Sequence, residues 1–258
     1  MVSKAKIKWI HSLEMKKYRD KYRLFVAEGP KLVSELIGVF ACEWMLAETS
    51  WMATQGDLPA KELVVAEDDD LRKVSLLKSP QQVLAVFQRP DYAAAEADPA
   101  KELILALDGV QDPGNLGTIV RLADWFGIEH VVCSPDTADV FSPKTVQATM
   151  GALARVKVHY TVLEDYLKSR EAPLYGAFLT GDNLYEKPLS AAGVLVMGNE
   201  GNGIRPAVEA LIGERLYIPP FPAFRAGSES LNVAVATAII CAEFRRQHTG
   251  NNDARHKD

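Results

Sequence analysis

Three short runs hold the residues best suited to chemistry. The first is Asp112-Pro113-Gly114-Asn115-Leu116-Gly117, with Arg121 shortly after. The second is Met197-Gly198-Asn199-Glu200-Gly201-Asn202-Gly203, and the third is Ser230-Leu231-Asn232-Val233, downstream of an Ile218-Pro219 pair. Each puts small or polar residues where an apolar strand should end, the edge at which ligands bind in a parallel α/β domain. A Gly-rich loop between strand and helix offers open backbone amides to a nucleotide-like ligand. The dinucleotide fingerprint Gly-x-Gly-x-x-Gly is not met, because Pro206 stands where the third glycine belongs and the loop falls late in its domain. Glu200 would repel a pyrophosphate; it suits a cationic ligand, a ribose hydroxyl or an arginine.

Asp112 can accept amide hydrogen bonds at a helix entry that Pro113 stiffens. Asn115 brings both donor and acceptor functions. Arg121 can lean toward the loop and present a fixed guanidinium fork to phosphate or carboxylate, or it can be an ordinary surface ion pair. Ser228, Glu229 and Ser230 can cap the last helix. Capping leaves Asn232 unexplained, since the pattern puts it in the first helical turn, where Asn is a poor residue.

These loops need a framework. Residues 3–20 read as helical, Leu24–Ala27 as a strand, and Pro30 opens a helix through Ile37. Cys42–Ala47, Leu63–Ala66 and Val83–Phe87 are further strand candidates, and the aperiodic, Pro- and Ala-rich stretch Arg89–Ala100 reads as a linker. The continuous apolar run Leu103–Leu107 marks a strand buried on both faces. A helix is predicted over Leu116–Phe126, closed by Gly127. Next come strand His130–Cys133, a helix near Lys144–Leu153, strand Arg155–His159, helix Leu163–Ser169, and strand Leu174–Leu179, which ends at Thr180-Gly181-Asp182. Strand Val194–Met197 leads into the Gly-rich loop. A short helix near Arg205, strand Arg215–Ile218 and a final helix over Leu231–Gln247 complete the chain. The alternation predicts an α/β class. It divides into a small domain over 1–92, a second over 101–248, and a polar, disordered tail over 249–258.

The 258 residues are 48% hydrophobic, enough for a substantial core. No run of eighteen apolar residues and no signal-peptide pattern is present, so a cytoplasmic protein without membrane contact is expected. Cys42, Cys133 and Cys241 are far apart in apolar surroundings and read as core residues; the five histidines do not cluster at ligand spacing, so no metal is expected. The net charge of −5 argues against a nucleic-acid partner until its distribution is considered. Residues 1–31 carry Lys4, Lys6, Lys8, Lys16, Lys17, Arg19, Lys21, Arg23 and Lys31 against Glu14, Asp20 and Glu28. Trp9, Tyr18, Tyr22 and Phe25 are interleaved with these cations. Such a stripe can neutralise phosphates and stack on unpaired bases, with Lys16, Lys17, Arg19, Lys21 and Arg23 the candidate RNA contacts. The alternative is a solvated helix pair whose aromatics face the core.

Together, Asp108-Gly-Val-Gln-Asp-Pro-Gly-Asn-Leu-Gly-Thr-Ile-Val-Arg121, Met197–Gly203, Ile218-Pro219 and Glu229-Ser-Leu-Asn-Val233 resemble the signature motifs of the SpoU/TrmH branch of the SPOUT methyltransferases. The match spans about residues 103–247. The region Tyr18–Glu35, with Phe25-Val26-Ala27-Glu28-Gly29, is similar to the small ribosomal-protein-like RNA-binding domain often attached in that family. The resemblance implies transfer of a methyl group from S-adenosyl-L-methionine to a ribose 2′-hydroxyl of rRNA or tRNA. It also implies a parallel-sheet domain tied as a trefoil knot, and a homodimer with each site near the subunit interface. By motif position, Met197, Gly198, Gly201, Ile218 and Leu231, with Thr180 and Gly181, would hold the cofactor. Asn115, Arg121, Glu200, Ser230 and Asn232 would form the catalytic set. One departure is the apolar insertion Pro220-Phe221-Pro222-Ala223-Phe224-Arg225, which lengthens the loop over 219–229; Arg225 is a candidate there for substrate or partner.

A guanidinium is very hard to deprotonate, so Arg121 is better suited to gripping a phosphate and stabilising a developing alkoxide than to accepting the ribose proton. Phosphate, water or Glu200 remain as acceptors. Two alternatives stay open: a catalytically silent RNA-binding module of the same fold, and a Rossmann-type nucleotide-dependent enzyme, disfavoured by Pro206.

Overall fold

The computed structural model describes residues 1–67, 69–169, 171–222 and 230–248. The chain begins with α1 (Lys4–Ser12), α2 (Lys16–Tyr22), β1 (Leu24–Glu28), α3 (Pro30–Leu36), β2 (Cys42–Ala47), α4 (Thr49–Met52), β3 (Leu63–Val65), α5 (Asp70–Val74) and β4 (Val83–Gln88). It continues with β5 (Leu103–Asp108), α6 (Pro113–Trp125), β6 (His130–Cys133), α7 (Pro143–Thr149), β7 (Lys157–Tyr160), α8 (Leu163–Lys168) and β8 (Leu174–Phe178). The last elements are β9 (Asp182–Asn183), β10 (Gly193–Gly198), α9 (Pro206–Glu209), β11 (Glu214–Tyr217) and α10 (Val233–His248). Two compact units result: Met1–Asp91 together with Asp139–Arg155, and Tyr92–Ala138 together with Val156–Asp258.

In the first unit a four-stranded sheet runs β1-β4-β2-β3, antiparallel except for β2 and β3. Side chains alternate faces along a strand. Leu24, Val26, Leu84 and Val86 accordingly meet Ile10 and Leu13 on one face, while Phe25 and Phe87 join Phe40 and Phe141 on the other. The helix expected over 3–20 is broken at Leu13–Met15. Leu13 is buried there, and Arg19 returns from α2 to donate to the Leu13 and Glu14 carbonyls, which the end of α1 leaves without helical partners. Similarly, the helix expected over 144–153 stops at Thr149, because Met150 (φ 52°) and Gly151 (φ 95°) both turn left-handed.

The second unit is built on a seven-stranded sheet, β7-β6-β5-β10-β8-β11-β9, in which every pairing is parallel. Both faces are covered, so β5 and β6 are buried at every position and β10 at all but its last, and apart from Asp108 and His130 their residues are apolar or glycine. Ile104, Ala106, Val194 and Val196 pack with Leu163, Tyr166, Leu167 and Val208; α10 packs against α6 and β10. Parallel strands all end at one edge, so β5, β10, β8 and β11 deliver their following loops to the same place. Among the described residues, no helix is long and apolar enough to cross a membrane.

Candidate active site

The first loop starts from Asp108, buried at the end of β5. Its carboxylate accepts from the Arg205 amide and from Arg205 Nε, both at 2.7 Å, and an Arg205 Nη2 oxygen contact of 2.5 Å completes the fork. That hydrogen bonding raises the Arg205 guanidinium further above its usual range. Asp108 thereby fastens β5 to the segment leaving the Gly-rich loop. Asp112 then caps α6, its Oδ1 accepting from the Asn115 amide at 2.8 Å, with Pro113 at the first helical position.

The Gly-rich loop is closed by Asn199. Its backbone exchanges hydrogen bonds of 2.9 Å with Gly203 in both directions, its Oδ1 accepts from the Gly201 and Asn202 amides, and its Nδ2 donates to the Gly109 carbonyl. Gly198 admits no other residue, since a Cβ there would lie 2.3 Å from the Gly203 carbonyl carbon. The expected third-glycine position is Pro206, which opens α9, and no dinucleotide turn forms.

The third loop contains a correction. Asn232 does not lie inside the last helix: it is the capping residue, its Oδ1 accepting from the Ala234 and Val235 amides at 3.0 and 3.2 Å. Asn is favoured there, so capping explains Asn232 and not Ser230. Its Nδ2, which a cap does not need, donates to Asn115 Oδ1 at 3.0 Å. Asn115 Nδ2 in turn donates to Glu200 Oε1 at 2.8 Å. One hydrogen-bonded chain, Asn232–Asn115–Glu200, therefore joins all three loops. Ser230 is exposed and Leu231 half-exposed beside it. Arg121 is exposed, one and two-thirds turns along α6 from Asn115. Among the described residues, no hydrogen bond or ion pair engages it.

The residues expected to hold a cofactor flank this chain. Met197 and Gly198 end β10, Thr180 and Gly181 follow β8, and Ile218 follows β11, three neighbouring strands. Gly201 is exposed in the Gly-rich loop. Gly181 has φ 155°, and a Cβ there would meet the Arg215 carbonyl at 2.5 Å. Of the lengthened loop over 219–229, residues 223–229, with Arg225, Ser228 and Glu229, lie outside the described residues, as does the tail 249–258. The resemblance assigns this loop to the knotted region, so the expected knot rests in part on residues outside those described.

Of the cations expected to meet RNA, Lys16, Lys17, Lys21 and Arg23 are exposed on or just after α2. Arg19 is not: it is 3% exposed, and its guanidinium is occupied by Asp139 at 2.7 Å besides the Leu13 and Glu14 carbonyls that follow α1. The aromatics divide as well. Phe25 is core and Trp9 packs on the other face of the same sheet against the cluster of Ile10, Leu13 and Trp44, whereas Tyr18 and Tyr22 stack at 6.1 Å with Lys17 and Lys21 against their rings. Sequence reasoning missed Asn199 and the Asp108–Arg205 pair as site builders. The available signal was a carboxylate ending an otherwise apolar strand.

Comparison with known proteins identifies the family. The SpoU rRNA methylase family model matches residues 102–242, and the MRM3-like substrate binding domain matches residues 4–85. The chain belongs to the SpoU rRNA methylase family. It is 33% identical to the 23S rRNA (guanosine(2553)-2′-O)-methyltransferase RlmP of Bacillus subtilis, over 93% of this chain and 96% of that one. A structure from Porphyromonas gingivalis, assigned to the TrmH family of RNA methyltransferases, superposes with a TM-score of 0.86 at 43% identity, covering 96% and 99% of the two chains. The AdoMet-bound rRNA methyltransferase of Sinorhizobium meliloti gives 0.83 at 30% identity, covering 95% and 97%.

Proposed function

We propose that this protein is an S-adenosylmethionine-dependent methyltransferase acting on a ribose 2′-hydroxyl of RNA, with ribosomal RNA as the substrate class its relatives favour over tRNA. The observation that carries the reading is the Asn232–Asn115–Glu200 chain at the end of a parallel sheet. When bound, the cofactor supplies an electrophilic methyl group on a sulfonium. The residues present suit such a group. Ile218, Leu231 and exposed Leu179 offer apolar surface for an adenine ring, Thr180, Gly181, Gly198 and Gly201 offer backbone, and Glu200 offers negative charge toward a cation.

The chain's own residues then have separable tasks. Asn115 fixes one Glu200 oxygen and leaves the second to accept the ribose proton as the O–CH3 bond forms. Arg121 grips a neighbouring phosphate and stabilises the developing alkoxide. Asn232 holds Asn115 in orientation, and Ser230 lies at the rim. Positioning supplies much of the rate.

The protein works as a homodimer in the cytoplasm with its RNA. Thr118, Arg121 and the 82%-exposed Trp125 share one face of α6, which suits a subunit interface beside the site. Lys16, Lys17, Lys21 and Arg23 bind the RNA backbone, which positions the substrate without reading its sequence. The test is transfer of labelled methyl from S-adenosylmethionine to RNA from a strain lacking this gene. Label in a 2′-O-methylnucleoside of ribosomal RNA is expected. RNA binding without incorporation would mean a silent module.

A further inference from the structure

We propose that Glu102, Glu129 and His130 bind one divalent transition-metal ion of the Zn2+ class at the N-terminal edge of the seven-stranded sheet. Glu102 immediately precedes β5, and Glu129 and His130 stand at the start of β6. The site is thus at the opposite ends of these strands from Asp108 and the methyl-transfer loops. One ligand atom from each residue lies within 4.8 Å of the others, and His130 Nε2 is 3.7 Å from a Glu102 oxygen. Donors bound to a tetrahedral ion at about 2.0–2.2 Å are roughly 3.3 Å apart, so modest side-chain rotations close the set.

The imidazole pair behind the cluster distinguishes it from an acidic patch. His130 is 4% exposed, and its Nδ1 is 2.8 Å from His159 Nε2. His159 Nδ1 faces the Tyr92 carbonyl at 3.4 Å. A carbonyl only accepts, so His159 Nδ1 carries the hydrogen and, in the neutral ring, its Nε2 accepts. His130 Nδ1 must then donate. Its Nε2 is left with a bare lone pair facing two carboxylates, and no hydrogen bond to that atom is found among the described residues. Three electron-rich groups converge on a point that a cation would stabilise. A hydrogen bond through the far ring nitrogen is also what fixes the tautomer of a metal-bound histidine. Lys157, the neighbouring cation, is engaged by Glu96 at 3.1 Å.

No sequence spacing announces this cluster. His130 and His159 are 29 residues apart and meet only because β6 and β7 are parallel neighbours that pair His130 with Lys157 and Val132 with His159. The ion would tie the start of β5 to the start of β6, a structural clip independent of methyl transfer.

Full-length protein stripped by a chelator and titrated with ZnCl2 alone in a calorimeter should take up one ion per chain, with an upward shift in thermal unfolding. Zinc-edge X-ray absorption should show imidazole nitrogen together with carboxylate oxygen. Glu102→Gln and Glu129→Gln avoid the buried histidine and should each weaken binding at least about tenfold, leaving metal-free melting and methyl transfer unchanged. Absence of uptake by the wild type overturns the proposal, and so does uptake that survives both substitutions together.

Discussion

Asn115 faces two ways: Nδ2 donates to Glu200 and Oδ1 accepts from Asn232. Asn115→Asp keeps the shape but replaces the donor with an acceptor beside a carboxylate, so Glu200 loses its fixed orientation. The expected result is a fall in kcat of roughly 10²-fold with little change in melting temperature. Arg121→Lys separates geometry from charge. If Arg121 acts by charge alone, turnover survives with weaker RNA binding; a loss of turnover with normal binding assigns it a stricter geometric role. Both residues stood out because polar groups at a strand's end are conspicuous. The hydrogen bonds of Asn115 to Asn232 and Glu200 were not legible, since they span 117 and 85 residues of chain. A different residue-scale effect belongs to Glu28, where burial pushes the carboxyl above the usual range and hydrogen bonds from Ser75 and the Leu76 amide oppose the shift. A raised folded value means that the native state binds the extra proton, so this contribution to stability is full below the unfolded pKa and is lost as pH rises through the folded one. Urea unfolding at pH 5 and pH 7 should show the wild type losing stability on that rise relative to Glu28→Gln; an identical pH response of the two would refute this.

Helix α10 and the α1–α2 break show what elements reveal and conceal. The apolar stretch after Ser230 announced a helix, yet its start fell two residues late, which moved Asn232 from the interior to the cap. That shift makes the two roles of Asn232 separable. Asn232→Asp retains the capping oxygen and removes the donor to Asn115, so turnover should drop while thermal stability holds. Asn232→Ala should also cost about 1 kcal/mol of stability. Equal melting losses in both variants would show that the Asn115 contact is itself structural. The break at Leu13–Met15 was not legible, because the helical pattern runs through it and Arg19 reaches the freed carbonyls only once Asp139 is in place. β5 and β10 were legible as unbroken apolar runs, the mark of strands covered on both sides.

For the whole molecule, the charge distribution carried more than the total. A chain of net charge −5 still presents Lys16, Lys17, Lys21 and Arg23 on one exposed stretch. Lys17→Ala with Lys21→Ala should weaken RNA binding and shrink its salt dependence without lowering stability. Arg19→Ala should do the reverse, costing about 3 kcal/mol by leaving the largely buried Asp139 without its cation, with the Phe141 amide still donating to it. Equal losses of RNA affinity at matched folded fraction would contradict this division. The grouping of Asp139–Arg155 with Met1–Asp91 was not legible, because it rests on tertiary contacts such as Phe141 against Phe25 and Gln147 donating to the Glu28 carbonyl. The central claim, that this sheet edge transfers a methyl group to a ribose oxygen, is tested most directly by nucleoside mass spectrometry. RNA from a strain lacking the gene would be incubated with the purified chain and deuterated S-adenosylmethionine. One 2′-O-methylated nucleoside carrying the label, absent with Asn115→Asp, is the predicted result; label on a base, or on no RNA at all, would contradict it.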